Sequence, residues 1–295
     1  MTSETQYPPF FEDEATSRDA ALFHVIPAPF EETVSYGGGA AKGPSAILCA
    51  SDQLEEYDGT DVPAARGIWT APPVPCGGGP EKTLAVIEAA VAETLAMDGI
   101  PVLLGGEHTV TLGALRACHK KYGAFGVIQF DAHADLRAAY QGTPYSHACV
   151  MRRAHELGLP LFQIGVRAIS LEEVDYRRDN PDIAYLDGAT IGRAALAGQG
   201  LPETLLPPDF PETVYVTFDV DGLDPSVIPA TGTPAPGGLS WYAALDALQK
   251  CIAGRAVIGC DVVELAPRQG DHASDFAAAQ LAYSMMGMVG RGKIR

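Results

Sequence analysis

Seven short apolar runs of β character punctuate the chain, and four of them end in acids or imidazoles. "PVLL" at 101–104 leads into Gly105-Gly106-Glu107-His108, and "GVIQF" at 126–130 into Asp131-Ala132-His133-Ala134-Asp135. "VYVTF" at 214–218 leads into Asp219-Val220-Asp221, and "AVIGCDVV" at 256–263 into Glu264. The other runs are "LFHVI" at 22–26, "LFQIGV" at 161–166 and "IAYL" at 183–186. Helix-like segments separate several of them. Segment 83–97 puts Leu84, Ile87, Val91 and Leu95 on one stripe. Segment 109–122 stops at Gly123, segment 240–253 runs from Ser240 to Gly254, and 274–288 begins at Ser274 and is largely apolar. Strands alternating with helices predict an α/β fold with a mostly parallel sheet covered by helices on both faces. With no linker, repeat or low-complexity tract, residues 1–295 read as one domain, and 1–20 as a peripheral N-terminal arm.

Ligands of such sheets bind beyond the carboxyl ends of the strands. The acids and imidazoles therefore fall where a site is expected. Asp131, His133 and Asp135 alternate with alanines, and period two predicts that all three face the same side of a strand. Two carboxylates and an imidazole stacked together call for a cation. The candidate ligands are His108, Asp131, His133, Asp135, Asp219 and Asp221. Four carboxylates and two imidazoles exceed what one zinc takes. They suit two divalent ions about 3.5–4 Å apart that share a water and lower its pKa toward neutrality. The oxygen-rich set favours manganese, while the imidazoles admit nickel, cobalt, iron or zinc. Singly, each residue has a plainer reading. Asp219 could be a helix cap, His108 a structural histidine, His147 a capping-region residue behind Ser146, and Glu264 an ordinary strand-end acid. Asp224, before Pro225, reads as a turn residue outside the site.

Composition narrows the partners. A formal charge of −17 argues against nucleic acid and for a small cationic ligand. Six cysteines without a C-x-x-C pair read as reduced, packed thiols of a cytoplasmic chain. The N-terminus lacks the pattern of a signal or transit peptide, and no apolar run approaches a membrane span.

In combination and in order, G-G-E-H at 105–108, D-A-H-A-D at 131–135, S-H at 146–147, D-V-D-G-L-D-P at 219–225 and D-V-V-E at 261–264 resemble the ureohydrolase family of arginases and agmatinases. "SYGGGAAKGPSAI" at 35–47 and the stretch from Ala230 to Trp241 are similar to the agmatinase branch. The resemblance spans nearly the whole chain. It implies a three-layer α/β/α fold of arginase type and a binuclear manganese centre. One ion would be held by His108, Asp131, Asp135 and Asp219, the other by Asp131, His133, Asp219 and Asp221, with Asp131 and Asp219 bridging. It also implies that Asp135 orients the hydroxide, that His147 shuttles protons, that Glu264 grips the guanidinium, and that the protein is a homo-oligomer, a trimer or hexamer. The activity implied is hydrolysis of agmatine to putrescine and urea, a step of polyamine biosynthesis.

The chemistry is consistent. A guanidinium carbon is a poor electrophile and needs a strong nucleophile, and its amine leaves only when protonated. The substrate tail stays open among aminopropylagmatine, guanidinobutyrate, formiminoglutamate, guanidine and arginine. Leu136-Arg137 follow D-A-H-A-D where arginases carry small polar residues. Ala148 follows His147 where many agmatinases have Gly, and the loop 266–275 departs from the common pattern. Tyr36, Asp271 and His272 are candidate tail contacts, and Arg137 pairs either with a substrate carboxylate or with a structural acid. Rival readings are a deacetylase-like single-zinc hydrolase and a non-catalytic assembly subunit. A dinuclear phosphoesterase would need a cluster of Arg or Lys near the motifs.

Overall fold

The computed structural model describes residues 7–12 and 15–292. Among these residues eight strands form one sheet: β1 Phe23–Ala28, β2 Ile68–Thr70, β3 Ile100–Gly105, β4 Gly126–Phe130, β5 Leu161–Ile164, β6 Ile183–Leu186, β7 Thr213–Asp219 and β8 Ala256–Val263. Their order is β2-β1-β3-β8-β7-β4-β5-β6, and every pairing is parallel. Each expected run is a strand, and the short β2 was not expected. Six of the eight strands are buried throughout, as a sheet covered on both faces requires.

The helices are α1 Gly43–Ser51, α2 Pro80–Ala96, α3 Thr111–Tyr122, α4 Val150–Glu156, α5 Leu171–Asp179, α6 Gly188–Leu196, α7 Trp241–Ile252 and α8 His272–Arg291. One face of the sheet packs against α1, α7 and α8 through Ile47, Leu48, Leu248, Leu281 and Met285. There Phe130 and Phe218 stack at 4.7 Å between centroids, a contact worth about 0.5–1.5 kcal/mol beyond its buried area. The other face packs against α2, α3 and α4 through Leu84, Ile87, Leu115, Val150 and Met151. The architecture is the predicted α/β/α sandwich. Among the described residues, no helix is long and apolar enough to cross a membrane.

Several boundaries differ from expectation. Helix α2 starts three residues early, because Pro80 can occupy a first-turn position whose N–H has no helical partner. Helix α8 starts at His272, not Ser274. Asp271 is its cap: Oδ1 accepts from Ser274 N at 3.2 Å and Oδ2 from Ser274 Oγ at 2.6 Å. Of the expected N-terminal arm, residues 1–6, 13 and 14 lie outside the described residues, while Phe10 and Phe11 are buried against Tyr283. All six cysteines are free, but Cys49 is exposed, against the expectation of packed thiols throughout.

Candidate metal centre

The four strands that end in acids or imidazoles are β3, β8, β7 and β4, and they are adjacent in the sheet. Strands far apart in sequence therefore deliver their terminal residues to one spot. Close backbone approach makes this possible. A Cβ on Gly106 would lie 2.0 Å from Phe30 O, and one on Gly222 would lie 2.9 Å from Asp131 N. Glycine at these positions lets the β3 and β7 ends turn toward their neighbours.

Asp131, His133 and Asp135 do not lie in a strand, which corrects the expectation. β4 ends at Phe130, and the segment continues extended with a single parallel bridge between His133 and Ala168. The alternation survives without the ladder. Ala132 and Ala134 are fully buried, while His133 and Asp135 line the cavity. The segment ends because Asp135 turns into the left-handed region, φ 54°. Glu264 does the same after β8, φ 66°. Such conformations are costly for non-glycine residues and tend to gather at functional sites.

Among the described residues, two ligand-competent groups emerge, His108 with Asp131 and Asp135, and His133 with Asp131 and Asp221. They share Asp131. His108 Nδ1 lies 3.1 Å from Asp131 Oδ2, 3.0 Å from Asp135 Oδ2 and 3.6 Å from Asp219 Oδ2. Yet this buried nitrogen makes no hydrogen bond among the described residues. The other ring nitrogen explains why. Thr217 Oγ1 donates its hydrogen to Asp261 Oδ1 at 2.6 Å, so it accepts from His108 Nε2–H at 2.8 Å. In the neutral ring Nδ1 then carries the lone pair and turns it toward carboxylates, an arrangement that calls for a cation. Without a metal ion, and against burial, Asp131 and Asp135 raise His108 well above the usual imidazole value, so that a proton takes that place. His133 Nδ1 stands 3.1 Å from Asp221 Oδ2 and 3.5 Å from Asp131 Oδ1. Asp219 Oδ1 accepts from Asp221 N at 2.8 Å, and its Oδ2 is the oxygen turned toward His108.

The protonation preferences tell the same story. Burial, then the Asp131 charge, pushes Asp135 up to about 7. Burial, then Asp221 and Asp131, raises Asp219 well above the usual carboxylate range. Burial and Asp131 raise Asp221. Burial opposes ionisation of Asp131 too, but the imidazoles of His108 and His133 beside it outweigh that and hold it low. The cluster carries more negative charge than its imidazoles compensate. The donor set and the orphaned Nδ1 fit divalent ions.

A small inner cavity of about 30 Å³ is lined by His108, His133, Asp135, His147, Asp219, Asp221 and Glu264. It shares Ser35, His133, Asp135, His147 and Thr233 with an outer chamber of about 400 Å³. Glu264 Oε1 accepts from His108 N at 2.6 Å, and burial pushes this carboxyl up to about 8. His147 Nε2 lies 2.8 Å from Ser35 Oγ, and burial pushes the ring down to about 4. Tyr36, 87% exposed, sits at the mouth on a loop that Glu31 fastens by accepting from Gly39 N and Ala41 N. Arg137 lines the outer chamber with its guanidinium over Tyr140, and among the described residues no carboxylate lies within ion-pair distance of it. Asp271 and His272 are not brought to either cavity, since Asp271 caps α8. Asp224 is the expected turn residue, accepting from the amides of Ser226, Gly237 and Gly238.

Sequence reasoning missed the residues beneath the site. Gln163, Gln129, Thr217 and Asp261 are lateral neighbours across β5, β4, β7 and β8. Arg177 Nε donates to Gln163 Oε1, Gln163 Nε2 to Gln129 Oε1, and Gln129 Nε2 to Asp131 Oδ2 at 2.7 Å. The signal was a lone polar residue inside each apolar run.

The chain matches the Arginase family over residues 21–287. It is 38% identical to the N(1)-aminopropylagmatine ureohydrolase of Synechocystis sp., over 96% of this chain and 94% of that one. It is 32% identical to the agmatinase of Pyrococcus horikoshii, over 92% and 93%. The agmatine ureohydrolase of Thermoplasma volcanium superposes with a TM-score of 0.82 at 28% identity, covering 96% and 94%. With its strand ends, its buried His/Asp cluster and these relatives agreeing, the chain belongs to the arginase family of ureohydrolases, in its agmatinase branch.

Proposed function

We propose that the protein hydrolyses a linear guanidino amine to urea and a primary amine, with agmatine, which would yield putrescine, as the first candidate. The observation that carries this reading is the unpartnered Nδ1 of His108 among the carboxylates of Asp131, Asp135 and Asp219. His108, Asp131, Asp135 and Asp219 are the proposed holders of one divalent ion, and Asp131, His133, Asp219 and Asp221 of the other. The shared Asp131 supports a bridged pair, and the oxygen-rich set supports manganese. Two such ions supply Lewis acidity and a water ionisable near neutral pH.

The chain's own residues do the rest. Glu264 faces the inner cavity with one oxygen tied to the His108 amide, so its carboxylate is held in a fixed direction. A guanidinium binding there gains charge-assisted hydrogen bonds and draws Glu264 into its ionised form. Asp135, beside His133 at the cavity wall, accepts a hydrogen bond from the attacking water and orients it. His147, neutral near pH 7, receives a proton at the cavity and delivers it to the leaving amine nitrogen. An inner cavity of about 30 Å³ has room for about two water-sized groups, so the guanidinium head would meet it from the outer chamber, through the wall that the two share.

The outer chamber favours a second candidate of the same class. About 400 Å³ is more room than a four-carbon amine tail fills, and it suits a longer polyamine tail such as that of aminopropylagmatine. Support also comes from four relatives named for that activity at 36–38% identity.

Urea release from a panel of guanidino compounds by manganese- and nickel-loaded protein tests the reading. Turnover of agmatine or aminopropylagmatine with two ions per chain is expected, with arginine a much poorer substrate. One ion per chain at saturation would favour a single-metal hydrolase, and preference for arginine or a carboxylate-tailed compound would make Arg137 the tail contact.

A further inference from the structure

Behind His147 lies a buried carboxylate that no ligand assignment uses. Glu107, between the glycine pair and His108, is fully buried. Its oxygens accept four hydrogen bonds, from Glu32 N and Thr33 N at 2.7 Å and from Thr33 Oγ1 and Thr109 Oγ1 at 2.6 Å. Thr33 Oγ1 in turn lies 3.2 Å from both His147 N and His147 Nδ1.

A hydroxyl has one hydrogen. That of Thr33 is taken by Glu107, so toward His147 the oxygen can only accept. It accepts the backbone N–H, and at the ring it requires a hydrogen on Nδ1. Ser146 Oγ also lies 3.2 Å from Nδ1, but its hydrogen can turn either way and imposes no choice. On the far side of the ring, Nε2 faces Ser35 Oγ and the cavity.

We propose that Thr33 is a positioning residue for His147. Backed by Glu107, its hydroxyl holds the ring as the Nδ1–H tautomer and leaves Nε2 as the atom that exchanges protons with water and the leaving amine. The inference rests on the reading of His147 as the proton carrier. It gives the segment at 31–35 a second task beyond walling the cavity. A ring in the other tautomer would present N–H to the cavity before any proton had been collected, and would have no lone pair there to receive one.

Two measurements test this. The first needs no variant. In zinc-loaded protein labelled with ¹⁵N-histidine, at neutral pH, the resonance that disappears in His147→Ala should show a protonated Nδ1 and an unprotonated Nε2. An Nε2–H tautomer would overturn the proposal. The second is kinetic. Thr33→Val removes the acceptor at similar volume, and Thr33→Ser restores it. General acid–base catalysis contributes about 100- to 10,000-fold, so partial loss of the correct tautomer should lower kcat about ten- to a hundredfold. KM and metal content should stay near the parent values, and Thr33→Ser should keep kcat within about threefold, whereas a purely structural role would move KM, metal content and melting temperature together. Parent kcat in Thr33→Val refutes the relay while leaving His147 in its role. Parent kcat in His147→Ala refutes the role itself, and the relay with it.

Discussion

Thr217→Val tests whether a hydroxyl outside the ligand set determines metal affinity. The threonine accepts from His108 Nε2 at 2.8 Å and donates to Asp261 Oδ1 at 2.6 Å, in a fully buried position on β7. Valine fills nearly the same volume and makes neither bond. A neutral hydrogen bond contributes about 0.5–1.5 kcal/mol and one to a charged group about 1.5–3, so stability should fall by about 2–4 kcal/mol. Asp261 keeps its bond from Tyr215 OH at 2.9 Å, which limits the damage on that side. Among the described residues, Thr217 is the one hydrogen-bond partner of His108 Nε2. The histidine ring loses both its tautomer preference and its orientation, and partners of metal-binding histidines typically matter about ten- to a hundredfold in affinity. That corresponds to about 1.4–2.7 kcal/mol. The assay is a chelator competition titration of manganese, followed by heat denaturation with and without metal. Thr217→Ser should retain parent affinity within about threefold. Parent affinity in Thr217→Val would refute the argument that Nδ1 is kept as a lone pair by what happens at Nε2.

Asp219→Ala removes the oxygen nearest His108 from β7, so metal content and urea release should collapse together while circular dichroism stays close to the parent. Activity retained with two ions bound would remove Asp219 from the ligand set. Glu264→Gln should keep both ions and lower kcat/KM about ten- to a thousandfold, the value of a charged hydrogen bond plus lost alignment. Loss of metal would make Glu264 a ligand, and full activity an ordinary strand-end acid. The metal-free protein should lose stability as pH rises from 6.5 to 8. Asp135 and Glu264, pushed up to about 7 and 8, bind more protons folded than unfolded in that window; His147, pushed down to about 4, opposes them weakly, because the unfolded histidine is still partly protonated at 6.5 and loses that proton toward pH 8. His133 acts in the direction of the two carboxyls: against burial, its bonds to Asp131 and Asp221 push it up to about 12. Melting temperature measured in chelator should therefore fall across the window, and a rise would contradict the assigned protonation states.

The sheet was legible because covered parallel strands must be apolar nearly throughout, and seven of the eight announced themselves as runs. The eighth, β2, is three residues long, "IWT", too short to show a period. The helices found first were those with a long apolar stripe or a clear stop. α4 has seven residues, and α5, "LEEVDYRRD", is mostly charged and owes its start to a capping box in which Ser170 and Glu173 satisfy each other's amides. Neither carries enough apolar periodicity to be read from the sequence. The D-A-H-A-D segment shows a subtler limit. Alternation was real, but period two does not require a ladder, and the left-handed turn at Asp135 could not be foreseen from an aspartate.

The ligands were legible for a different reason from the residues that hold them. Carboxylates and imidazoles at strand ends stand out because nothing in a covered sheet needs them there. Gln129, Gln163, Thr217 and Asp261 sit inside strands, where a single polar residue reads as a blemish in an apolar run. Only register turns them into a row, because Gln129 faces Gln163 on one side and Thr217 on the other, and Thr217 faces Asp261. A buried polar row is costly unless each member is paired. Here the bonds run in consistent directions: Arg177, Gln163 and Gln129 each donate onward until Asp131 accepts, and His108 and Thr217 each donate until Asp261 accepts. The first chain ends on Asp131 Oδ2, and so fixes the direction of the carboxylate shared by both ligand groups. The second chain holds the one imidazole among three carboxylates with its Nδ1 inward. The strand interiors thus spend burial of polar groups on direction, and the strand ends supply the charge.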